Sequence, residues 1–136
     1  MLKRIALKDF KSFADQSVEL APLTIVVGAN ASGKSNLLDA IRFLQGTALS
    51  YKFTDVLKGK TEGGNLIWSG ARGGAHEVFR FGAEKIFSLE TEWSFDKWEL
   101  CHQIRCTQEQ DSKPILAEKE LICEGSQILI TSDPPI

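Results

Sequence analysis

Eight consecutive residues, Gly28-Ala29-Asn30-Ala31-Ser32-Gly33-Lys34-Ser35, fit the spacing G-x-x-x-x-G-K-[ST]. Consecutive backbone N–H groups in such a loop, those of Ala31 and Ser32 among them, curl into a concave nest that binds anionic oxygen. A helix opening near Gly33 adds unpaired N–H groups and the positive end of its dipole. Gly28 and Gly33 stand where a Cβ would block the turn or hold a phosphate away. The spacing aims Lys34 at β- and γ-phosphate oxygens and the Ser35 hydroxyl at Mg²⁺. The chemistry is that of a triphosphate cradle. The plain alternative is a strand-to-helix turn in which Ser32 caps the helix.

Such a loop needs a strand before it and a helix after it. "LTIVVG", residues 23–28, is a nearly unbroken β-branched run, the pattern of a strand buried on both faces in a parallel sheet. From Lys34 the period changes: Leu37, Leu38, Ile41, Phe43 and Leu44 form an amphipathic stripe, with Asp39 and Arg42 outside it. Gln45-Gly46 supplies a left-handed stop. Upstream, "LKRIALKDF" alternates as a first strand, "KSFADQ" reads as a turn and "SVELAP" as a short second strand. Residues 46–75 hold seven of the eleven glycines and read as loop, with one short helix around "YKFTDVLKG". The remainder is all-β. "HEVFRFG", "KIFSLETEWSF", "WELCHQIRC", "PILAEKELICEG" and "SQILITSD" predict an antiparallel meander with Trp93 and Trp98 as core or cross-strand aromatics. The expected class is therefore α/β (α+β): a partial P-loop NTPase fold of strand, loop and helix over 1–45, a glycine-rich region over 46–75 and an antiparallel subdomain over 76–136.

Composition narrows the function. A chain of 136 residues with net charge −2 suits one domain and argues against a surface coated in basic charge for nucleic acid. Lys3, Arg4, Lys8 and Lys11 concentrate positive charge near the start, as a solvated strand face or as a nucleic-acid arm. Cys101, Cys106 and Cys123 lack metal-ligand spacing, and His76 and His102 do not complete a zinc pattern. Three reduced cysteines suit a cytoplasmic setting. No apolar run is long enough for export or membrane insertion.

Residues 1–45 resemble the N-terminal lobe of ABC-type ATPase heads of the SMC, RecF and overcoming-lysogenization-defect group. The match is carried by "DFKSF", "LTIVVGANASGKSNLLDAI", and in particular by Asn30 and by Asn36 directly after Ser35. The resemblance implies ATP and Mg²⁺ as cofactors, with Gly28, Asn30, Ala31, Ser32, Gly33, Lys34, Ser35 and Asn36 around the phosphates and Ser35 on the metal. It places Lys11 and Ser12 beside the nucleotide, although Lys11 equally fits a solvent-exposed turn and Asn36 a polar first-turn residue. It makes Arg72 a candidate for contact with a partner's nucleotide, with a plain loop arginine as the alternative. It implies ATP-bridged pairing of two heads in the full-length protein, with DNA or a nuclease or effector domain as partner. The setting would be DNA repair, chromosome maintenance or phage defence.

The departures are as informative. No Walker B strand is recognisable: "ILITSDPPI" breaks at Thr131 and Ser132, and "LICE" is too short. "WSGARGG" shares only letters with an ABC signature motif. Both motifs lie C-terminal in the group, which implies that this chain is the first lobe of a longer protein and leaves no catalytic residue to assign. Binding without turnover is the second reading. An unrelated P-loop kinase or GTPase is the third, weakened by the absence of N-K-x-D and by the passage into β-meander. Without the strands of the missing half, residues 23–28 would present an unpaired apolar edge, so the isolated chain is expected to be marginal or self-associating.

Overall fold

The computed structural model of the chain describes residues 1–108 together with the strands at 115–123 and 126–130. The fold is α+β. Six strands form one antiparallel sheet: β1 (Leu2–Phe10), β2 (Phe13–Glu19), β5 (Ile86–Phe95), β6 (Trp98–Thr107), β7 (Ile115–Cys123) and β8 (Ser126–Ile130), in spatial order β2-β1-β5-β6-β7-β8. The expected meander is β5 to β8, and the N-terminal hairpin extends it from the β5 side. Between the hairpin and the meander come α1 (Lys34–Ala48), α2 (Phe53–Lys58), a small hairpin of β3 (Lys60–Glu62) and β4 (Asn65–Trp68), and α3 (Gly74–Glu77).

Period-two alternation explains which sheet face is covered. Ile5 and Leu7 from β1, Phe87, Leu89 and Thr91 from β5, and Ile104 and Cys106 from β6 are buried. Leu37, Ala40 and Phe43 of α1 and Val56 and Leu57 of α2 close over them. Phe43 sits edge-on to Phe53 and Phe87 at 5.6 and 5.5 Å between centroids, arrangements favoured by the ring quadrupoles. Asp9, at φ +51°, turns β1 so that Phe10 points inward two residues after outward-facing Lys8. Burial pushes the Cys106 thiol up, which keeps it neutral as a core residue. On the outer face Arg4 meets Glu19, Glu90 and Glu92 at 3.8, 2.9 and 2.8 Å, so the basic start is partly neutralised across the sheet. Beyond the helical cover the sheet ends in aromatics. Trp93 stacks on Phe95 at 6.1 Å, and Phe95 pairs across the strands with Trp98, the last two half exposed.

Several local expectations are corrected. Residues 23–28 form no strand: Leu23, Ile25 and Val27 are 79, 76 and 84% exposed. A run written for burial on both faces needs neighbours on both sides, and among the described residues no strand pairs with it. The parallel sheet anticipated around the loop is therefore not part of the described fold. The first turn is tighter than expected, with Phe10 paired to Phe13 around Lys11 at φ +50°, so β2 begins at Phe13. Helix α1 does not stop at Gly46. A Cβ there would stand 2.9 Å from Val56 and 3.0 Å from Trp68, so this glycine serves a close helix approach, while Ser50 takes the left-handed φ.

The region read as loop over 46–75 contains, besides the expected short helix, which is α2, the β3–β4 hairpin and the start of α3. Gly63 and Gly64, at φ +57° and +81°, make the hairpin's two-residue turn. "HEVFRFG" is not a strand; it begins in the last two residues of α3 and, among the described residues, pairs through the Phe79–Phe10 bridge. The segment 131–136 that bears on a Walker B assignment lies outside the described residues, as does the side chain of Cys123.

Candidate functional site

The glycine loop ends on α1 with Gly33 as N-cap at φ +95°, a conformation that glycine adopts without steric cost. No side chain caps the helix, so the alternative role for Ser32 is not realised. The first intrahelical bond shown at this end is donated by Leu37 N–H to the Gly33 carbonyl at 3.0 Å. The N–H groups of Lys34, Ser35 and Asn36 thus precede the ladder, at the positive end of the dipole. Ala31 also has positive φ, +64°. At Gly28 the constraint is space: an added Cβ would lie 2.7 Å from Ser32 Oγ and 3.7 Å from Lys34 Nζ. The Lys34 ammonium curls back into the loop, donating to the Gly28 carbonyl at 2.6 Å, the Ala29 carbonyl at 2.5 Å and Ser32 Oγ at 3.3 Å.

Ser12 and Asn36 are brought together, with Asn36 Nδ2 donating to Ser12 Oγ at 2.8 Å. Ser12 also lines the loop from outside, its Oγ 3.4 Å from where a Gly33 Cβ would stand. Lys11 is tied to α1 and to the segment before α3. Its side chain is 7% exposed and its Nζ donates to Asp39 Oδ2 at 2.7 Å and to the Arg72 carbonyl at 2.8 Å, so the exposed-turn alternative does not describe it. Arg72 is equally committed within the chain. Its Nε donates to both Asp39 oxygens at 3.1 and 3.0 Å, and its Nη2 reaches Asp39 Oδ2 at 2.7 Å and Asn36 Oδ1 at 3.3 Å. Lys11, Ser12 and Asn36 share a groove of about 330 Å³ with His76, Glu77, Phe79, Phe81 and Lys85. No hydrogen bond among the described residues involves the side chain of Asn30 or Ser35.

Asp39 is the residue that sequence reasoning missed. It was expected outside the apolar stripe, yet it is 3% exposed. Burial raises its pKa, and hydrogen bonds from Arg72 and Lys11 outweigh that and hold it below the ordinary carboxylate value. The available signal was the pairing of one helical acid with two basic residues in turns, "DFKS" and the glycine-rich "GARGG". In exchange, Leu38 and Ile41, counted in the stripe, face outward.

The loop's residues fit an anionic, metal-bound ligand: a glycine-walled concavity, an uncapped helix end, one ammonium and one hydroxyl at the helix start. Comparison with known sequences adds a likeness over the first half of the chain. Residues 1–67 match the RecF/RecN/SMC N terminal domain. A "DNA replication and repair protein RecF" of Gloeobacter violaceus is 50% identical over 44 residues, 32% of this chain and 12% of that protein. A "Chromosome partition protein Smc" of Halothermothrix orenii is 51% identical over 47 residues, 33% of this chain and 4% of that protein. The RecF of Nostoc punctiforme is 48% identical over 54 residues, 39% and 14% respectively. The aligned part is thus a small fraction of each relative's length. Over its first 67 residues, the glycine loop and Asp39 included, this chain is similar to the RecF/RecN/SMC N terminal domain.

Proposed function

We propose that the chain is the nucleotide-binding N-terminal lobe of an SMC/RecF-like ATPase, in a partial P-loop NTPase fold. The observation that carries this reading is the loop 28–35 on the uncapped end of α1, with the Lys34 ammonium already inside it. Mg·ATP would lie against the main chain of Gly28 and Asn30 to Gly33, with Lys34 on its terminal phosphates, Ser35 on Mg²⁺, and Asn36, Ser12 and Lys11 along one side. Lys34 would exchange its carbonyl partners for phosphate oxygens, and charge-assisted bonds to an anion are about twice as strong as neutral ones. The names of the relatives support a role in DNA repair or chromosome maintenance with DNA as partner; in the same reading, two heads of the full-length protein would join through ATP. We place the protein in the cytoplasm on its cysteine usage; among the described residues no helix is long and apolar enough to cross a membrane.

A second reading, nucleotide binding that regulates partner contact without hydrolysis, is favoured by one observation. Among the described residues, the carboxylate of the network beside the loop is Asp39, and it is committed to Lys11 and Arg72. Mg·ATP turnover by the full-length protein, lost on Lys34→Ala, supports the enzyme. Mg·ATP binding without turnover supports the regulatory module. Preference for GTP over ATP in competition would overturn both.

A further inference from the structure

We propose that Asp39 is a positioning residue of the phosphate site, acting chiefly through Arg72; the proposal rests on the nucleotide-binding reading of the loop. Asp39 and Thr91 are the buried polar residues among those described, and Asp39 is the charged one. Its carboxylate gathers three segments: α1, which carries it, the β1–β2 turn through Lys11, and the loop before α3 through Arg72. The two cations are held differently. Lys11 is buried at 7% side-chain exposure and also grips the Arg72 carbonyl, whereas the Arg72 side chain is 58% exposed and reaches onward.

The onward path ends at the loop. From Asp39 it runs through Arg72 Nη2 to Asn36 Oδ1 and from Asn36 Nδ2 to Ser12 Oγ, which stands 3.4 Å from the Cβ position of Gly33. Asn36 lies one helical turn before Asp39, directly after Ser35, so both faces of its amide are tied. Stability alone is a poor account of this cluster. Burying a carboxylate with charged partners costs desolvation that an apolar packing of similar volume avoids. Glu77 also acts on Arg72, so what the carboxylate contributes is placement of the guanidinium rather than net charge. The carboxylate thereby sets where the side wall of the loop stands.

The test is the affinity of the 136-residue chain for Mg·ATP, read by displacement of a fluorescent ATP analogue well below each variant's melting temperature. The variants are Asp39→Asn, Arg72→Ala, their double, Arg72→Lys and Lys34→Ala. Asp39→Asn and Arg72→Ala should each weaken binding roughly tenfold, within the coupling range of residues sharing one ion-pair network. The double should lose far less than the product of the two, a non-additivity that a general loss of stability does not produce. Arg72→Lys keeps the charge but not the bidentate fork, so it should behave as Arg72→Ala. Unchanged affinity in Asp39→Asn beside a weakened Lys34→Ala overturns the proposal, as do multiplicative losses. Should Asp39→Asn fail to fold, wild-type affinity in Arg72→Lys overturns it, because charge without geometry would then suffice. If wild type and Lys34→Ala bind alike, the phosphate-site reading itself fails and the proposal with it.

Discussion

Replacing Ile25 and Val27 together by lysine should leave the fold almost untouched and make the protein less self-associating. Full burial of an aliphatic side chain contributes about 1.5–3 kcal/mol. Ile25 and Val27 are 76% and 84% exposed, so only a quarter or less of that is at stake. The expected loss is about 0.3–0.7 kcal/mol for each substitution, near the noise of a denaturant extrapolation. Ile5→Ala, at a fully buried site in β1, should by contrast cost about 2–5 kcal/mol. Leu23, Ile25 and Val27 are an extended apolar run with unpaired backbone, a template for pairing with a second copy. Two lysines should repel that copy. Urea denaturation of dilute protein reads the stability, and sedimentation velocity over a concentration series reads the association. Loss of more than about 2 kcal/mol for the pair, above the expected sum of about 0.6–1.4 kcal/mol, would mean that the segment packs within the fold. Unchanged association would mean that some other surface joins the copies.

At 100 times the dissociation constant Mg·ATP should add about 2.7 kcal/mol of stability. Lys34→Ala, losing about 1.5–3 kcal/mol of charge-assisted bonding, should retain only about 0.3–1.3 kcal/mol at the same concentration, a difference of several degrees in a thermal melt. Gly70, at φ +72°, has Gly59 N and the Leu57 carbonyl oxygen 2.6 and 2.7 Å from where a Cβ would stand. Gly70→Ala should therefore destabilise by about 2–5 kcal/mol, whereas Gly63→Asn, with open space around it, should cost under about 1 kcal/mol in the same titration. The Asp39 carboxyl is held below its ordinary 3.8 despite burial, by Arg72 and Lys11. As pH falls below that value the unfolded chain takes up the proton first, so the stabilisation present at higher pH is lost through the lower folded value. Below pH 3.8 the denaturation midpoint of wild type should fall more steeply than that of Asp39→Asn; parallel curves would refute the pairing.

What the sequence disclosed and what it hid follow from how local each signal is. The glycine loop and α1 were legible because a spacing motif and a helical period both act within a few residues. The meander was legible because alternation in "KIFSLETEWSF" and "WELCHQIRC" depends on one covered face. The state of residues 23–28 was not legible, because β-branched composition states a preference whose fulfilment depends on neighbouring strands. Gly46 was misread because a missing Cβ serves a turn or a close approach equally well, and only Val56 and Trp68 decide between them. The Gly63-Gly64 turn carried a recognisable hairpin signal, masked by flanking strands of three and four residues. Asp39 escaped because helical periodicity sorts residues by polarity, and its partners lie in segments that no periodicity connects to α1.

That long reach also bears on the order of events during folding. Asp39 collects one cation from 28 residues upstream and another from 33 downstream, so closing the cluster costs chain entropy that α1 alone never incurs. Helix α1 can flicker into existence early, but the wall beside its first turn waits until both distant turns have docked. A compact intermediate with native-like helicity would thus still be unable to grip a triphosphate with full strength. Ligand affinity followed during refolding should rise with the last tertiary contacts and lag the helical signal.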